Sequence, residues 1–314
     1  MRAAVLTSPD SVPVASDFED PTPLGDAPLL ELVGAGVHQV VRSVASGRHY
    51  GSTGAYPLVP GVDAVARTPE GALVYTGWPR APWGTMAALL ATPIGVPLPS
   101  DADPLAIAAG MNPAMSGWMP LVQHRAARGG LGSVLVLGAT GMAGHLAVQS
   151  AFALGATRVI AAGRDVTALE RASATGAEAV SIAEGHDELA AAIAASAPSL
   201  VLDYVWGPVA ETAFAALGRR GLDDDTADID YVQIGALGGL DARVPATLLR
   251  SRRIRISGSG AGSVSTDDMI AELPRVMALI AEGVLQVPYT AYPLSRVGEA
   301  WSHTGRDRAV VVPD

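Results

Sequence analysis

The chain has 314 residues, 49% of them hydrophobic and 17% charged, enough to bury a sizeable core and a length that suits two compact domains better than one. A net charge of -10 without any basic stripe excludes nucleic acid as a partner, because phosphate-backbone binding needs clustered cations to displace counterions. There is no cysteine, and all 21 Lys+Arg positions are arginine, which removes disulfides, thiolate nucleophiles, Cys-ligated zinc, iron–sulfur clusters, Walker A loops, Schiff-base lysines and Tyr-x-x-x-Lys pairs.

Met1 to Thr7 enters a strand-like pattern without a charged leader and cleavage site, and no apolar run is long enough to cross a bilayer, so a cytoplasmic location away from membranes is expected. The first hundred residues are rich in proline and glycine and carry short strand-like runs at Arg2 to Leu6, Leu29 to Val33 and Ala72 to Tyr75, the texture of a β domain with many turns. Helical segments begin near Leu105, and Val134 to Leu137 is a continuous apolar run of the kind that forms a buried parallel strand.

Strand and helix then alternate. A helix is predicted over 143–154, a strand over 158–162, a helix over 166–175, a short strand over 179–182 and a helix over 187–195. Strands follow at 200–203, 231–234 and 254–257, which together make a doubly wound parallel sheet. The acidic stretch Asp223 to Asp230 reads as a solvated loop, and Arg250, Arg252, Arg253 and Arg255 run into an apolar strand. A last helix over 267–281, a Pro-led strand or turn over 287–292 and the apolar end Ala309 to Val312 complete the chain, with the C-terminus returning to the N-terminal β portion.

Ala139-Thr140-Gly141-Met142-Ala143-Gly144 lies between a buried strand and a helix, the context that turns a glycine pattern into a dinucleotide fingerprint. Gly141 would let the backbone approach a pyrophosphate, Gly144 would let the helix pack on the strand, and the helix N-terminus would face the anion. A tight turn without a ligand would use small residues too. About 20 residues further on, the second strand ends in Gly163-Arg164-Asp165. Arg164 suits a ribose 2′-phosphate and so NADPH, whereas a one-residue shift would put the Asp165 carboxylate, a ribose-hydroxyl acceptor, in that place.

Taken with this fingerprint, the runs Met1-Arg2-Ala3-Ala4-Val5, Gly34-Ala35-Gly36-Val37, Ser46-Gly47 followed by Tyr50, Pro60-Gly61-Val62-Asp63, Leu154-Gly155-Ala156, Leu202-Asp203 and Gln233-Ile234-Gly235 resemble the medium-chain dehydrogenase/reductases, over nearly the whole chain. Within that family they are most similar to the zinc-independent quinone oxidoreductases. The resemblance implies a GroES-like β domain for substrate, residues 1–109 completed by 284–314, and a Rossmann domain, residues 110–283. It places Tyr50 at the substrate-side tyrosine, with Tyr56 close enough for the same role and His49 beside it. It also implies Ser116, next to Met115 where many members carry a threonine, and Ile234, Gly235 and Ala236 as nicotinamide-side positions; Ser257 and Ser259 end the next strand, as a polar turn or as a further contact. No metal is expected. The strand Arg253 to Ser257 would pair with its copy in a homodimer. Departures are His38 to Val41, where the family has Asn and Asp, and Trp206 at a position usually small, where it would narrow the pocket; His38 is expected to be a satisfied structural histidine, with a substrate-facing donor as the alternative.

The expectation is an NADPH-dependent oxidoreductase acting on a small-molecule quinone or α,β-unsaturated carbonyl. A carbonyl or imine reductase and a non-catalytic NADPH-binding protein are the alternatives.

Overall fold

Short β-branched and alternating runs, cut by Pro and Gly, build the first strands. A computed structural model describes residues 1–219, 221 and 226–314. The chain divides into two units, one of Met1–Asn112 with Leu273–Asp314 and the other of Pro113–Glu272.

In the first unit β1 (Arg2–Val5) and β2 (Val14–Asp17) pair antiparallel as a ribbon. The main sheet uses β3 (Leu30–Gly36), β4 (Asp63–Arg67), β5 (Leu73–Gly77), the short β6 (Leu89–Leu90) and β7 (Val96–Pro97). A helix unforeseen in the sequence, α1 (Gln39–Ala45), follows β3; its Val40, Val41 and Val44 are strand formers, and it is held by burying Val41 and Ala45 on one face. The long α2 (Pro104–Arg128), divided between the units after Asn112, starts where Asp103 accepts the Leu105 N–H at 2.9 Å and Pro104 takes the first helical position.

The second unit is the alternating half. It runs β8 (Ser133–Leu137), α3 (Met142–Ala153), β9 (Arg158–Gly163), α4 (Val166–Ala174), β10 (Glu178–Ser181), α5 (Asp187–Ser196), β11 (Leu200–Asp203), α6 (Gly207–Leu217), β12 (Ile229–Gln233), α7 (Ala246–Ser251), β13 (Ile254–Gly258) and α8 (Thr266–Ala281), the last divided between the units. All six strands are parallel, in the order β10-β9-β8-β11-β12-β13. Val134, Leu135, Val136, Val201 and Leu202 are buried, which is why these strands are apolar without alternation. The chain steps outward from β8 to β10 and then returns to the other side of β8, so the topological switch point, where such sheets hold ligands, falls between β8 and β11.

The chain then re-enters the first unit through β14 (Tyr289–Pro293), α9 (Val297–Trp301) and β15 (Arg308–Val312). β15 lies antiparallel to β3, with Val310 opposite Gly36, and β14 lies parallel to β15, completing the order β14-β15-β3-β4-β5-β7. The fold is therefore α/β: a doubly wound Rossmann sheet and a GroES-like β domain. No helix among the described residues is long and apolar enough to cross a membrane.

The acidic stretch needs correction. Asp223, Asp224 and Asp225 lie outside the described residues, but Asp228 and Asp230 are held in ion pairs rather than left free in a loop, Asp230 within β12. Arg255 bonds Asp228 at 2.5 Å and Asp230 at 2.7 Å, Arg128 pairs with both, and His124 Nδ1 lies 2.7 Å from Asp230.

Candidate functional site

The turn after β8 hangs on β9, since the N–H groups of Gly138 and Ala139 both donate to Ala162 O at 2.9 Å. Gly138 has φ +90°, where a side chain is strained, and a Cβ on Gly144 would stand 2.3 Å from Gly138 O, so both glycines are demanded by the chain itself. Gly141 differs. Its φ of -82° is ordinary, and a Cβ there would meet only Gly138 O, at a comfortable 3.7 Å. Nothing in the protein requires glycine at this exposed position, which leaves open space directly above the turn. As the N-cap of α3 it also brings no side chain, so the N–H groups of Met142, Ala143 and Gly144 lack intrahelical acceptors and a side-chain cap. The result is a concave ring of donors at a positive helix end, suited to a pyrophosphate.

The tip of β9 touches this turn: a Cβ on Gly163 would lie 2.3 Å from the Thr140 side chain. Arg164 is exposed and pairs with no described residue. Asp165 is occupied, because it is the N-cap of α4 and its Oδ1 accepts the Ala168 N–H at 3.0 Å. Nearby on the first turn of α3, burial and then Arg171 lower the pKa of His145.

On the other side of β8, Asp203 at the end of β11 is fully buried and organises the next turn. Its Oδ1 accepts the N–H groups of Val205 at 2.7 Å and Trp206 at 2.9 Å, while its Oδ2 accepts the Tyr231 hydroxyl at 2.6 Å. Burial raises its pKa above the ordinary carboxylate range, against the pull of those three donors. The Tyr231 hydroxyl is pushed far up by burial and by Asp203. Sequence alone marked Asp203 only through the resemblance; a lone acid ending an apolar strand was the available signal.

Backbone groups at the sequence-predicted Ile234 to Ala236 are partly spent within the protein. Ile234 N–H and Gly235 N–H donate to Asp203 O at 2.7 and 3.1 Å, and Gly235 O accepts from Gln233 Nε2 at 2.9 Å, so Ile234 O and Ala236 N–H are left open among described residues. Ser116 Oγ donates to Pro113 O at 2.6 Å and lies 3.2 Å from the Tyr204 hydroxyl, whose pKa burial pushes well up. Met115 is buried. Ser257 and Ser259, with Ser259 N–H bonded to Gln233 O at 2.8 Å, line a cavity of about 420 Å³ that also borders His124, Arg128, Asp230 and Arg255. Trp206 is half-buried, and its ring packs edge-on against Phe214 and Tyr231.

In the first unit Tyr50 is 73% exposed, its ring 4.0 Å from that of His49, and its hydroxyl has no partner among described residues. The Tyr56 hydroxyl, by contrast, is committed to Ala45 O at 2.5 Å. Burial lowers the pKa of His49. His38 is buried, but it is not satisfied: both ring nitrogens lack hydrogen-bond partners among described residues, and Nε2 stops 3.4 Å from the equally buried Asp63. Beside it Arg308 has its pKa lowered to about 10 by burial and by Arg42.

No family model matches the chain. A curated protein of Emericella nidulans described as a probable NADPH-dependent quinone reductase is 28% identical, with 100% of both chains covered. The quinone oxidoreductase from Thermus thermophilus, solved alone and in complex with NADPH, is 25% identical over 99% of this chain and 100% of its own, at a TM-score of 0.78. This is the medium-chain dehydrogenase/reductase fold. An alcohol dehydrogenase superfamily protein from Novosphingobium aromaticivorans shares it at 20% identity and a TM-score of 0.80, both chains covered in full. Metal-dependent medium-chain dehydrogenase/reductases hold their zinc with cysteine, which this sequence lacks, and no group of three or more metal-ligating side chains lies together among its described residues.

Proposed function

We propose that the chain is an NADPH-dependent oxidoreductase that acts without a metal on an electron-poor double bond, in a quinone or an α,β-unsaturated carbonyl. The observation that carries the cofactor half is Gly141: a glycine with ordinary backbone angles and free space where its side chain would be. A close-lying pyrophosphate accounts for it. The exposed Arg164 beside an already occupied Asp165 favours the 2′-phosphorylated nucleotide. The relatives from Emericella nidulans and Thermus thermophilus are named for quinones as substrates, and an α,β-unsaturated carbonyl presents the same kind of electron-poor double bond.

When bound, NADPH supplies hydride to the electron-poor carbon. The protein's share is to hold the pyrophosphate on the turn from Ala139 to Gly144, to grip the 2′-phosphate with Arg164 beside Gly163, and to seat the nicotinamide end against Ser116, Ala236, Ser257 and Ser259. Tyr50 is assigned to donate a hydrogen bond or a proton to the substrate oxygen as charge gathers there. Residues 110–283 form the cofactor domain on this reading, and residues 1–109 with 284–314 the substrate domain. Edge strand β13 pairs with a second copy.

Calorimetry with NADPH and NADH, on the wild type and on Gly141→Val, tests the cofactor half: NADPH should bind the wild type more tightly than NADH does, and the variant should fold yet bind neither well. Loss of reduced-nicotinamide absorbance across a panel of enones, quinones, ketones and cyclic imines tests the rest. Turnover of ketones or imines alone would move the assignment to a carbonyl or imine reductase. Tight NADPH binding with no turnover on any of them would make the chain a non-catalytic NADPH-binding protein.

A further inference from the structure

Trp206 stands in a conformation that belongs to glycine, with φ 59° and ψ -160°. For a residue with a side chain this region is strained, and strain of this kind persists where something besides folding requires it. The following residue, Gly207, has φ 59° too, so the turn accepts glycine readily. A glycine at 206 would make the same turn without strain. The two bonds to Asp203 Oδ1, from Val205 N–H and Trp206 N–H, pin the turn so that the indole cannot relax away. One edge of the ring rests on Phe214 and Tyr231, yet the ring is only half-buried, and among described residues its Nε1–H has no partner. This N–H is not among the buried groups, so it stands open at the surface, where a ligand can accept from it.

Its position says which ligand. The Val205 side chain lies 3.0 Å from where a Cβ on Gly138 would stand, so this turn abuts the pyrophosphate turn. β11 flanks β8 on the side opposite β9. If Arg164 at the tip of β9 takes the adenosine 2′-phosphate and the turn after β8 takes the pyrophosphate, the dinucleotide continues over the tip of β11 with its other half. We propose that Trp206 is a binding residue for the nicotinamide–ribose half of the cofactor, its strained backbone presenting the indole as a wall and its Nε1–H as a donor to that half. This inference rests on the cofactor reading above.

The test measures binding of NADPH and of adenosine 2′,5′-bisphosphate, which carries the phosphates but no nicotinamide half, to the wild type, Trp206→Phe and Trp206→Gly. Trp206→Phe keeps a ring and loses the N–H, and should weaken NADPH about fivefold, the scale of one hydrogen bond. Trp206→Gly should weaken it further, while its thermal midpoint stays at or above that of Trp206→Phe because the backbone is relieved. The bisphosphate should bind all three proteins alike. Energy transfer from tryptophan to bound NADPH should fall sharply in Trp206→Phe, although four of the five tryptophans remain. Unchanged NADPH affinity in both variants overturns the proposal, and so does bisphosphate binding that weakens in step with NADPH, the result of a residue that only shapes the turn. If the wild type binds neither ligand, the cofactor reading itself fails, and the wild-type titration alone reveals that case.

Discussion

Adjacent opposite charges at the tip of β9 can be separated by mutation. Asp165 spends its carboxylate on the first turn of α4, so Asp165→Ala should lose about 1 kcal/mol of stability, the usual worth of an N-cap, and leave the preference for NADPH intact. Arg164→Ala should leave the melting midpoint unmoved and reduce the ratio of NADH to NADPH dissociation constants by about tenfold or more, since a charge-assisted guanidinium–phosphate contact is lost. A variant Asp165→Ala that swaps preference would mean the carboxylate reads the ribose after all. Tyr50 and Tyr56 separate in the same manner. Tyr50 is exposed and free, so Tyr50→Phe should cut kcat on an enone or quinone by roughly a hundredfold, the low end for a positioned acid, with no change in stability. Tyr56→Phe forfeits the bond to Ala45 O and should cost about 1 kcal/mol of stability with turnover little altered. Equal loss of turnover in both would withdraw the assignment of Tyr50.

The parallel half was the legible part. The apolar strands read as unbroken runs, so every strand from β8 to β13 falls within two residues of its expected start, while of the helices between them α3, α4 and α5 were expected and α6 and α7 were not. What was missed depends on tertiary contact: α1 is written in strand-forming valines, and the orphaned pair His38 and Asp63 arises only when β4 is laid beside the chain leaving β3. The occupation of Asp165 was legible, since it immediately precedes the helix expected over 166–175 and Asp is a favoured N-cap there, a signal that its reading as a ribose acceptor left unused. The turn between β11 and α6 carries a pH signature that follows from tertiary contact. Burial holds the Asp203 pKa above its value in the unfolded chain, so between those two values the folded protein binds more protons than the unfolded one, and stability falls as pH rises through that window. Asn at 203 cannot titrate. The stability of the wild type relative to Asp203→Asn should therefore improve on acidification from neutral pH into the window, measured as denaturation midpoints across a pH series. Parallel curves would show that the three donors to Asp203 cancel the effect of its burial, and a relative loss of stability on acidification would show that they outweigh it.

Viewed as a whole molecule, the sheet of the second unit ends in a strand with unused hydrogen-bonding capacity. β13 is an edge, and the bonds from Ile229 N–H to Arg253 O and from Ser259 N–H to Gln233 O show that its odd-numbered residues face β12. The backbone N–H and C=O groups of Ile254, Ile256 and Gly258 therefore face outward, and an edge of this kind pairs readily unless it is blocked. Arginine is one means of blocking, but Arg255 is drawn back onto Asp228 and Asp230, where its charge is balanced. An isologous pairing of two such edges would extend the six-stranded sheet across a two-fold axis. Light scattering should then give twice the 31.9 kDa of one chain. Proline at Ile256 removes an outward N–H without breaking the bonds to β12, a placement that edge strands tolerate. Ile256→Pro should convert the dimer to a monomer while NADPH binding persists. A wild type that is monomeric at micromolar concentration, or a proline variant that stays dimeric, would place any self-association on a different surface.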